Sequence, residues 1–426
     1  MKTLNNPDRS TWKELIKRPS SDNTQVAASV REILADVKAH GDSAVKKYAA
    51  LFDKVEKESF QVSAEEIDNS EKQVSEDLKK AIATAVLNIK KFHEAQADKT
   101  TVIETTSGVR CWRKSLPIEK VGLYVPAGTA PLFSTVLMLA VPARIAGCKE
   151  IVVCTSPSTY GDHLIHPAIA YCCKILGINK VFAIGGSQAI AAMAYGTETV
   201  PAVNKIFGPG NQYVTAAKLL LNQSGVAIDM PAGPSEVLII ADDTANPAFV
   251  AADLLSQAEH GEDSQVILLA KSQDFIDKTL SFLDEQITGL ERQTIARPAL
   301  ENSSAIVFES LSDAMDFSNL YAPEHLILAV ASPNNVADYV VNAGSVFLGN
   351  YTPESAGDYA SGPNHTLPTN GHASAYSGVS LDSFVKKVTF QEITKEGLKN
   401  LSFAIETMAE AEALEAHMEA VKIRLR

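Results

Sequence analysis

Residues 180–195 read KVFAIGGSQAIAAMAY, and this stretch carries the pattern that determines the fold. Its first five residues are mostly apolar or β-branched, as in a buried β-strand. Two glycines follow, and an alanine-rich segment with helical character then runs from Ala189 to Tyr195. A buried strand, a glycine turn and a helix in this order are typical of a parallel α/β sheet.

The same alternation of short apolar runs and helical segments continues on both sides of this stretch. A first set of strands is predicted at residues 121–125, 150–155, 180–184, 205–207 and 226–228. A second set is predicted at residues 236–241, 265–270, 304–308, 325–329 and 345–348. We therefore expect two α/β units with largely parallel sheets.

The segments around these units have a different composition. A polar arm reaches to about residue 20, and charged helices are predicted near residues 26–51, 64–73 and 75–95. Residues 349–380 are rich in Gly, Pro, Ser, Asn and His, and a loop of that length within a compact domain is usually functional. After Thr394 a charged helical pattern continues to Arg426, and it could cap the domain or reach a partner.

Composition and charge narrow the range of functions. The chain has 426 residues, 46% of them hydrophobic, and a net charge of −13, which disfavours binding to nucleic acid or to anionic membranes. Residues 121–143 lack charge but contain several prolines and glycines, so we interpret them as buried core. The polar N-terminus has no signal-peptide pattern, and the five cysteines form no CxxC pair. These features predict a cytoplasmic protein with reduced thiols.

Two strand-to-helix turns could bind an anionic ligand. Gly185 and Gly186 form one turn, and Gly208, Pro209 and Gly210 form the other. Exposed N–H groups at a helix start attract phosphate or carboxylate groups. Neither turn completes the GxGxxG pattern, and no acid follows Gly185 by about 20 residues to hold a ribose. On these turns alone, glycines that merely permit a tight turn are slightly favoured.

Metal-ligating residue types occur in separate segments. Gln257 and His260 are three residues apart and would share one helical face, while Asp358, His365 and His372 lie in or near the long loop. Zinc takes neutral imidazole and carboxylate ligands. Because no HExxH motif or close His/Cys cluster is present, such a site would have to be assembled from distant segments. Spacing alone favours a helix-capping histidine and hydrogen-bonded loop histidines.

Glu324 and His325 precede a predicted strand and could serve in acid–base chemistry. An imidazole titrates near neutrality, and an adjacent carboxylate could orient it or activate water. Neighbouring side chains point to opposite faces of a regular strand, so both reach one pocket only where the backbone is irregular. A surface glutamate and a core histidine are the alternative.

Seven segments together resemble the histidinol dehydrogenase family, and they occur in the order found in that family. They read VGLYVPAGTAPLFSTVLMLAVPA, GGSQAIAAMAYGTE, KIFGPGNQYV, DMPAGPSEVL, DLLSQAEHG, YAPEHL and ESAGDYASGPNH. The resemblance covers essentially the whole chain. It implies oxidation of L-histidinol to L-histidine through L-histidinaldehyde, with two NAD, one water and one Zn²⁺ per subunit. One departure is Ala127-Gly128, where the family commonly has two glycines.

The resemblance also implies site residues. The zinc ligands would be Gln257, His260, Asp358 and His417. Glu324 and His325 would be the catalytic residues. Contacts to the substrate would come from the zinc ligands, His325 and four further residues, namely Ser235, Glu354, His365 and Glu412. The NAD contacts would be Tyr124, Gln188 and Asn211.

The implied architecture is an α/β fold of two incomplete Rossmann-like parallel-sheet units, with an N-terminal helical arm and a C-terminal helical tail exchanged in a homodimer. We expect residues 1–20 to form the arm, 21–123 and 237–380 the first α/β domain, 124–236 the second and 381–426 the tail. His417 would then come from the other subunit. Glu412 and His417 are five residues apart, about 140° around a helix, so a bend is expected between them.

Two other classes of function were weighed against this one. A zinc hydrolase could use the same ligands and a Glu-activated water, but it would have no use for Tyr124, Gln188 and Asn211. A two-lobed solute-binding protein would share the paired units, but it normally requires export.

Overall fold

The computed structural model describes residues 1–19, 23–128, 130–158 and 163–426. Its β-strands are β1 (Lys2–Asn5), β2 (Val102–Thr106), β3 (Val109–Pro117), β4 (Lys120–Val125), β5 (Glu150–Thr155), β6 (Lys180–Ala183), β7 (Lys205–Phe207), β8 (Ala227–Ile228), β9 (Glu236–Ala241), β10 (Gln265–Ala270), β11 (Ser304–Val307), β12 (His325–Ala329), β13 (Ser345–Leu348) and β14 (Val385–Ile393).

The α-helices are α1 (Trp12–Leu15), α2 (Asn23–Tyr48), α3 (Ala64–Asn69), α4 (Glu76–Glu94), α5 (Phe133–Ala146), α6 (Pro167–Ile175), α7 (Gly186–Tyr195), α8 (Gln212–Asn222), α9 (Pro247–Ala258), α10 (Gln273–Gln286), α11 (Gln293–Glu301), α12 (Leu311–Tyr321), α13 (Pro333–Ala337), α14 (Glu354–Tyr359), α15 (Lys395–Ala411) and α16 (Glu415–Leu425).

A five-stranded parallel sheet forms the first unit, in the order β6-β5-β4-β7-β8. Every residue of β4 and β5 after the first is buried, because helices cover both faces of the sheet. The chain crosses over between β4 and β7, which is the position where α/β sheets of this order bind ligands beyond the strand ends. All five strands predicted in this region are confirmed to within a residue at each end.

A six-stranded parallel sheet forms the second unit, in the order β1-β11-β10-β9-β12-β13. β9 and β10 are buried along their whole length, and the five predicted strands are confirmed. The N-terminal arm differs from the expected helical arm. Lys2–Asn5 extends the sheet as an edge strand that pairs with Ser304–Val307, and a 3-10 turn at Arg9–Thr11 and the short helix α1 follow it. The backbone of β11 offers unpaired groups at this edge, and β1 satisfies them.

A third sheet was not expected from the sequence. β2, β3 and β14 form an antiparallel sheet in the order β14-β3-β2, in which Val109–Pro117 pairs with Val385–Ile393. The strand β14 leads directly into the C-terminal helices. The tail is therefore attached to this small sheet and not to either parallel sheet.

The packing of the N-terminal helices differs from the expected domain division. From the sequence, residues 21–123 are expected to form one α/β domain with residues 237–380. The apolar side chains of α2 and α4 instead belong to the core of the five-stranded unit. Val30 and Val37 pack with residues of α7 and α8, and Ile82 and Ile89 pack with α5. Moreover, an expected boundary at residue 123 would cut through β4. The amphipathic helices follow the larger apolar surface available to them.

The helical tail breaks between α15 and α16, where Ala413 has a φ of 56°. The expected bend between Glu412 and His417 is therefore confirmed.

Among the described residues, no helix combines the length and the apolar character that crossing a membrane requires.

Candidate active site

The proposed catalytic and metal residues gather at the edge of the six-stranded sheet where β9, β10 and β12 begin. Helix α9 ends there and presents Gln257 and His260, and helix α14 presents Glu354 and Asp358. The long loop was expected to lack regular structure, but α14 interrupts it. Because residues four apart lie on one helical face, α14 directs both carboxylates to the same side.

Glu324 and His325 reach one pocket because the backbone before β12 is irregular. Helix α12 ends at Tyr321, the next residue Ala322 has a left-handed φ of 53°, and Pro323 follows it. The Glu324 carboxylate and the His325 ring are both buried, and Glu324 Oε2 lies 3.6 Å from His325 Nδ1. An irregular backbone, which a joint role of these two residues requires, is therefore present.

One residue of β9 contacts both of them through its backbone. The N–H of Glu236 donates to Glu324 Oε2 at 2.8 Å, and the carbonyl oxygen of Glu236 lies 3.1 Å from His325 Nδ1. A carbonyl only accepts, so His325 Nδ1 carries the hydrogen and Nε2 keeps its lone pair when the ring is neutral. Nε2 is buried without a hydrogen-bond partner among the described residues, and it lies 3.7 Å from Asp358 Oδ1. In the neutral ring, the basic Nε2 therefore faces the Asp358 carboxylate, whereas Glu354 Oε1 lies 3.9 Å from Nδ1.

Burial and mutual charge shift the acidities in this pocket. Burial raises the pKa of Glu324 to about 8 and raises the pKa of Glu354 well above its usual range. Burial opposes a positive charge on His325, but the carboxylates of Glu354 and Glu324 raise the pKa of this histidine well above its usual value. Burial also works against the charge of Asp358, yet its contact with His325 holds the pKa of that carboxyl below the usual range. The pocket therefore contains both proton donors and proton acceptors.

A metal ion fits the ligand types at the mouth of this pocket. One ligand atom each of His260, Glu354 and Asp358 lies within 4.8 Å of the others. Gln257 is buried beside them, and one end of its side-chain amide lies 2.7 Å from Glu354 Oε1 and 3.1 Å from His325 Nδ1. Imidazole nitrogen and carboxylate oxygen are ligands that zinc takes. Sequence spacing alone had favoured separate structural roles for these residues, and the structure instead brings them together.

The loop after α14 connects the pocket to the five-stranded unit. His365 Nδ1 donates to the backbone oxygen of Asp358 at 2.9 Å, and His365 Nε2 lies 3.3 Å from Oγ1 of Thr135 in α5. Burial lowers the pKa of His365, which favours the neutral ring. Ser235 lies directly before β9 and is half-buried. The site therefore lies between the two units.

The three residues expected to contact NAD lie at or just beyond the carboxyl ends of strands in the five-stranded sheet. Tyr124 is buried in β4, and its hydroxyl accepts from the Gly186 N–H at 3.0 Å. Gln188 is also buried, and its Oε1 has no hydrogen-bond partner among the described residues. Asn211 caps α8 by accepting from two backbone N–H groups. Gly208 has a φ of 122°, and a Cβ there would meet the Tyr124 backbone oxygen at 2.1 Å, so only glycine fits.

Comparison with known proteins identifies the family. The family model for histidinol dehydrogenase matches residues 16–425. A histidinol dehydrogenase from Bacteroides thetaiotaomicron is 56% identical over 425 residues, which cover 100% of this chain and 99% of that protein. A Yersinia pestis histidinol dehydrogenase is 51% identical, over 97% of this chain and 93% of the relative. The crystal structure of histidinol dehydrogenase from Elizabethkingia anophelis superposes with a TM-score of 0.97 at 55% identity, covering 100% and 98% of the two chains.

The chain belongs to the histidinol dehydrogenase family. The predicted resemblance and the α/β fold are confirmed, and the family is one of NAD-dependent oxidoreductases. Neither the zinc hydrolase nor the two-lobed binding protein weighed from the sequence is supported.

Two of the residues expected from the family resemblance lie apart from the pocket of their own chain. Glu412 and His417 flank the break between α15 and α16, and both are exposed. No hydrogen bond or ion pair found in the described part of the chain joins either side chain to the cluster around His260.

Two acids that the sequence did not predict lie beside functional residues in the structure. Asp53 follows α2, and its Oδ2 accepts from Gln188 Nε2 at 3.4 Å, so an acid does stand near the glycine turn after β6. A dinucleotide-binding unit would place such an acid downstream of Gly185, whereas Asp53 comes from an earlier segment of the chain. The second acid is Glu236. Its place in the GPSE segment was the feature of the sequence that could have identified it.

Proposed function

We propose that the pocket between the two units oxidises L-histidinol to L-histidine through L-histidinaldehyde, with NAD as the oxidant and one zinc ion per subunit. The observation that carries this proposal is the buried Nε2 of His325, which lacks a hydrogen-bond partner within the described part of the chain and lies beside a cluster of metal-ligating side chains. Each oxidation removes a hydride and a proton from carbon and oxygen, and one water enters between the two steps. A basic nitrogen near a bound alcohol is what the first step requires.

Zinc would be held by Gln257, His260 and Asp358 of one chain and by His417 of a second copy. Two neutral imidazoles, one amide and one carboxylate would give the loaded site a net charge of +1. Substrate contacts would come from the same residues together with Ser235, Glu354, His365, Glu412 and His325. When bound, zinc fixes the substrate nitrogens in place and NAD accepts the hydride at each step.

The chain's own residues then move the protons. When the His325 ring is neutral, its Nε2 accepts the proton of the substrate hydroxyl, while the contact of Nδ1 with the Glu236 carbonyl keeps the ring in the required orientation. Glu324 lies beside His325 and would activate the water that attacks the aldehyde. Tyr124, Gln188 and Asn211 would contact NAD from the carboxyl ends of the five-stranded sheet.

A homodimer with shared sites accounts for the surface of the C-terminal tail. Phe403 is 81% exposed and Met408 and Ile423 are each 64% exposed, although all three are apolar and lie in α15 or α16. Their exposure on two helices that pack against each other supports an interaction surface there. A second copy that covers this tail would also receive Glu412 and His417. All five cysteines are free thiols, which supports the cytoplasm as the compartment of the reaction.

The decisive experiment follows NADH absorbance with L-histidinol and NAD. The purified protein should reduce two NAD per histidinol, and dialysis against a strong chelator should abolish turnover until zinc is added back. The chelator-treated protein without added metal is the control. Full turnover by metal-free protein, or binding of histidinol without any NADH, would contradict the proposal.

A further inference from the structure

Glu236 holds Glu324 and His325 with its backbone, and its own side chain is held in turn. Its carboxylate is 1% exposed and forms an ion pair with Arg18 of the N-terminal arm, with Arg18 Nε 2.8 Å from Oε1 and a second nitrogen 3.0 Å from Oε2. The backbone N–H of Asn370, from the loop after α14, also donates to Glu236 Oε1 at 2.8 Å. Two-point contact between guanidinium and carboxylate fixes direction as well as distance.

Arg18 is itself anchored. A guanidinium nitrogen donates to the backbone oxygen of Tyr321 at 2.6 Å, and the guanidinium carbon lies 3.8 Å from the centre of the Tyr321 ring. Tyr321 ends helix α12, directly before the irregular segment that presents Glu324 and His325. Arg18 therefore contacts the two places from which both side chains are positioned, namely the end of α12 and the start of β9.

We propose that Arg18 is a positioning residue for the reaction, acting through Glu236 on Glu324 and His325. The inference rests on the proposed roles of Glu324 and His325. Without the guanidinium, the one hydrogen bond from the described residues that the buried Glu236 carboxylate keeps is that from the Asn370 N–H, and the first residue of β9 is free to shift. A shift at Glu236 moves the N–H that holds Glu324 and the carbonyl that orients His325, and misplacement of about 1 Å can cost roughly 10²-fold in rate.

Arg18→Ala should lower kcat by about tenfold or more, while KM for L-histidinol, KM for NAD and zinc content stay within about twofold of wild type. Arg18→Lys should recover part of the loss, because an ammonium keeps the charge but not the two-point contact. Methylguanidine should raise kcat of Arg18→Ala. The matched control is Arg9→Ala, which removes another anchor of the same arm, on Asp313 and Asp316, and should leave kcat unchanged.

A double-mutant cycle distinguishes this inference from the proposed function. In Glu324→Gln or His325→Asn, adding Arg18→Ala should cost far less than it does in the wild type, because its effect passes through those residues. A full additional loss in both backgrounds, or an unchanged kcat in Arg18→Ala, would overturn the positioning role alone. Full activity of Glu324→Gln and His325→Asn would instead overturn the proposed function. If Arg18→Ala does not fold, Arg18→Lys is carried through the same cycle.

Discussion

Mixing two inactive variants tests the shared active site directly. His260 lies in the metal cluster at the end of α9, whereas His417 lies exposed on α16, outside the cluster of its own chain. His260→Ala and His417→Ala should each be nearly inactive, since each removes one proposed zinc ligand from every site. In a mixed dimer with shared sites, one site receives both defects and the other receives none.

The expected recovery follows from the two-fold symmetry of such a dimer. Random exchange makes about half of the dimers mixed, and one of the two sites in each mixed dimer is intact, so activity should return to roughly a quarter of wild type. The assay follows NADH after subunit exchange, which is verified with two distinguishable tags. No recovery after verified exchange would refute the shared-site model and place His417 in an intrachain role.

A second mixture provides the matched control. His260 and Asp358 belong to the same cluster on one chain, so mixing His260→Ala with Asp358→Asn leaves one defect in every site of a mixed dimer. Activity should therefore stay at the level of the separate variants. Recovery in this mixture as well would mean that exchange restores activity for a reason unrelated to the position of the tail.

Three further predictions concern catalysis, metal binding and stability. His325→Asn should slow oxidation of the alcohol by roughly 10²-fold or more at unchanged zinc content, whereas Glu324→Gln should chiefly slow oxidation of the aldehyde; equal losses of both half-reactions in both variants would reverse this assignment. His260→Ala should lose its zinc on dialysis, as measured by metal analysis, and retained zinc would exclude His260 as a ligand. Burial raises the pKa of Asp253 from 3.8 to about 7, so folding takes up a proton between these values and wild-type stability falls as pH rises. Asp253→Asn should therefore gain Tm over wild type from about pH 5 to about pH 7 and then level off, and a difference independent of pH would contradict this reasoning.

The parallel sheets could be predicted from sequence because their strands are short apolar runs with glycine turns after them. The signal is local, and it located all ten strands of the two predicted sets. The antiparallel sheet had no such signal, since β3 and β14 are separated by more than half the chain and both are partly exposed. Strand β1 was missed for the same reason, because only its pairing with β11 defines it.

Only part of the candidate active site could be predicted from the sequence. Residue types with evident chemistry, such as His260 and Asp358, could be named, but spacing gave no reason to join them. Arg18 and Glu236 could not be found as a pair, because a buried ion pair between distant segments leaves no periodic pattern. Asp53 was not predicted, because an acid that holds a ribose was expected downstream of the glycine turn. In each case the missing information is contact between segments far apart in sequence.

The pairing of β1 with β11 also dictates an order of events during synthesis. The first strand leaves the ribosome long before its partner, and at roughly 5–20 residues per second it waits on the order of 15–60 s until residue 307 has been made. Strands β4–β8 come from one contiguous stretch and can assemble within that interval. The six-stranded sheet closes only later, so nascent chains that stall before residue 304 should carry an unpaired N-terminal segment open to proteolysis.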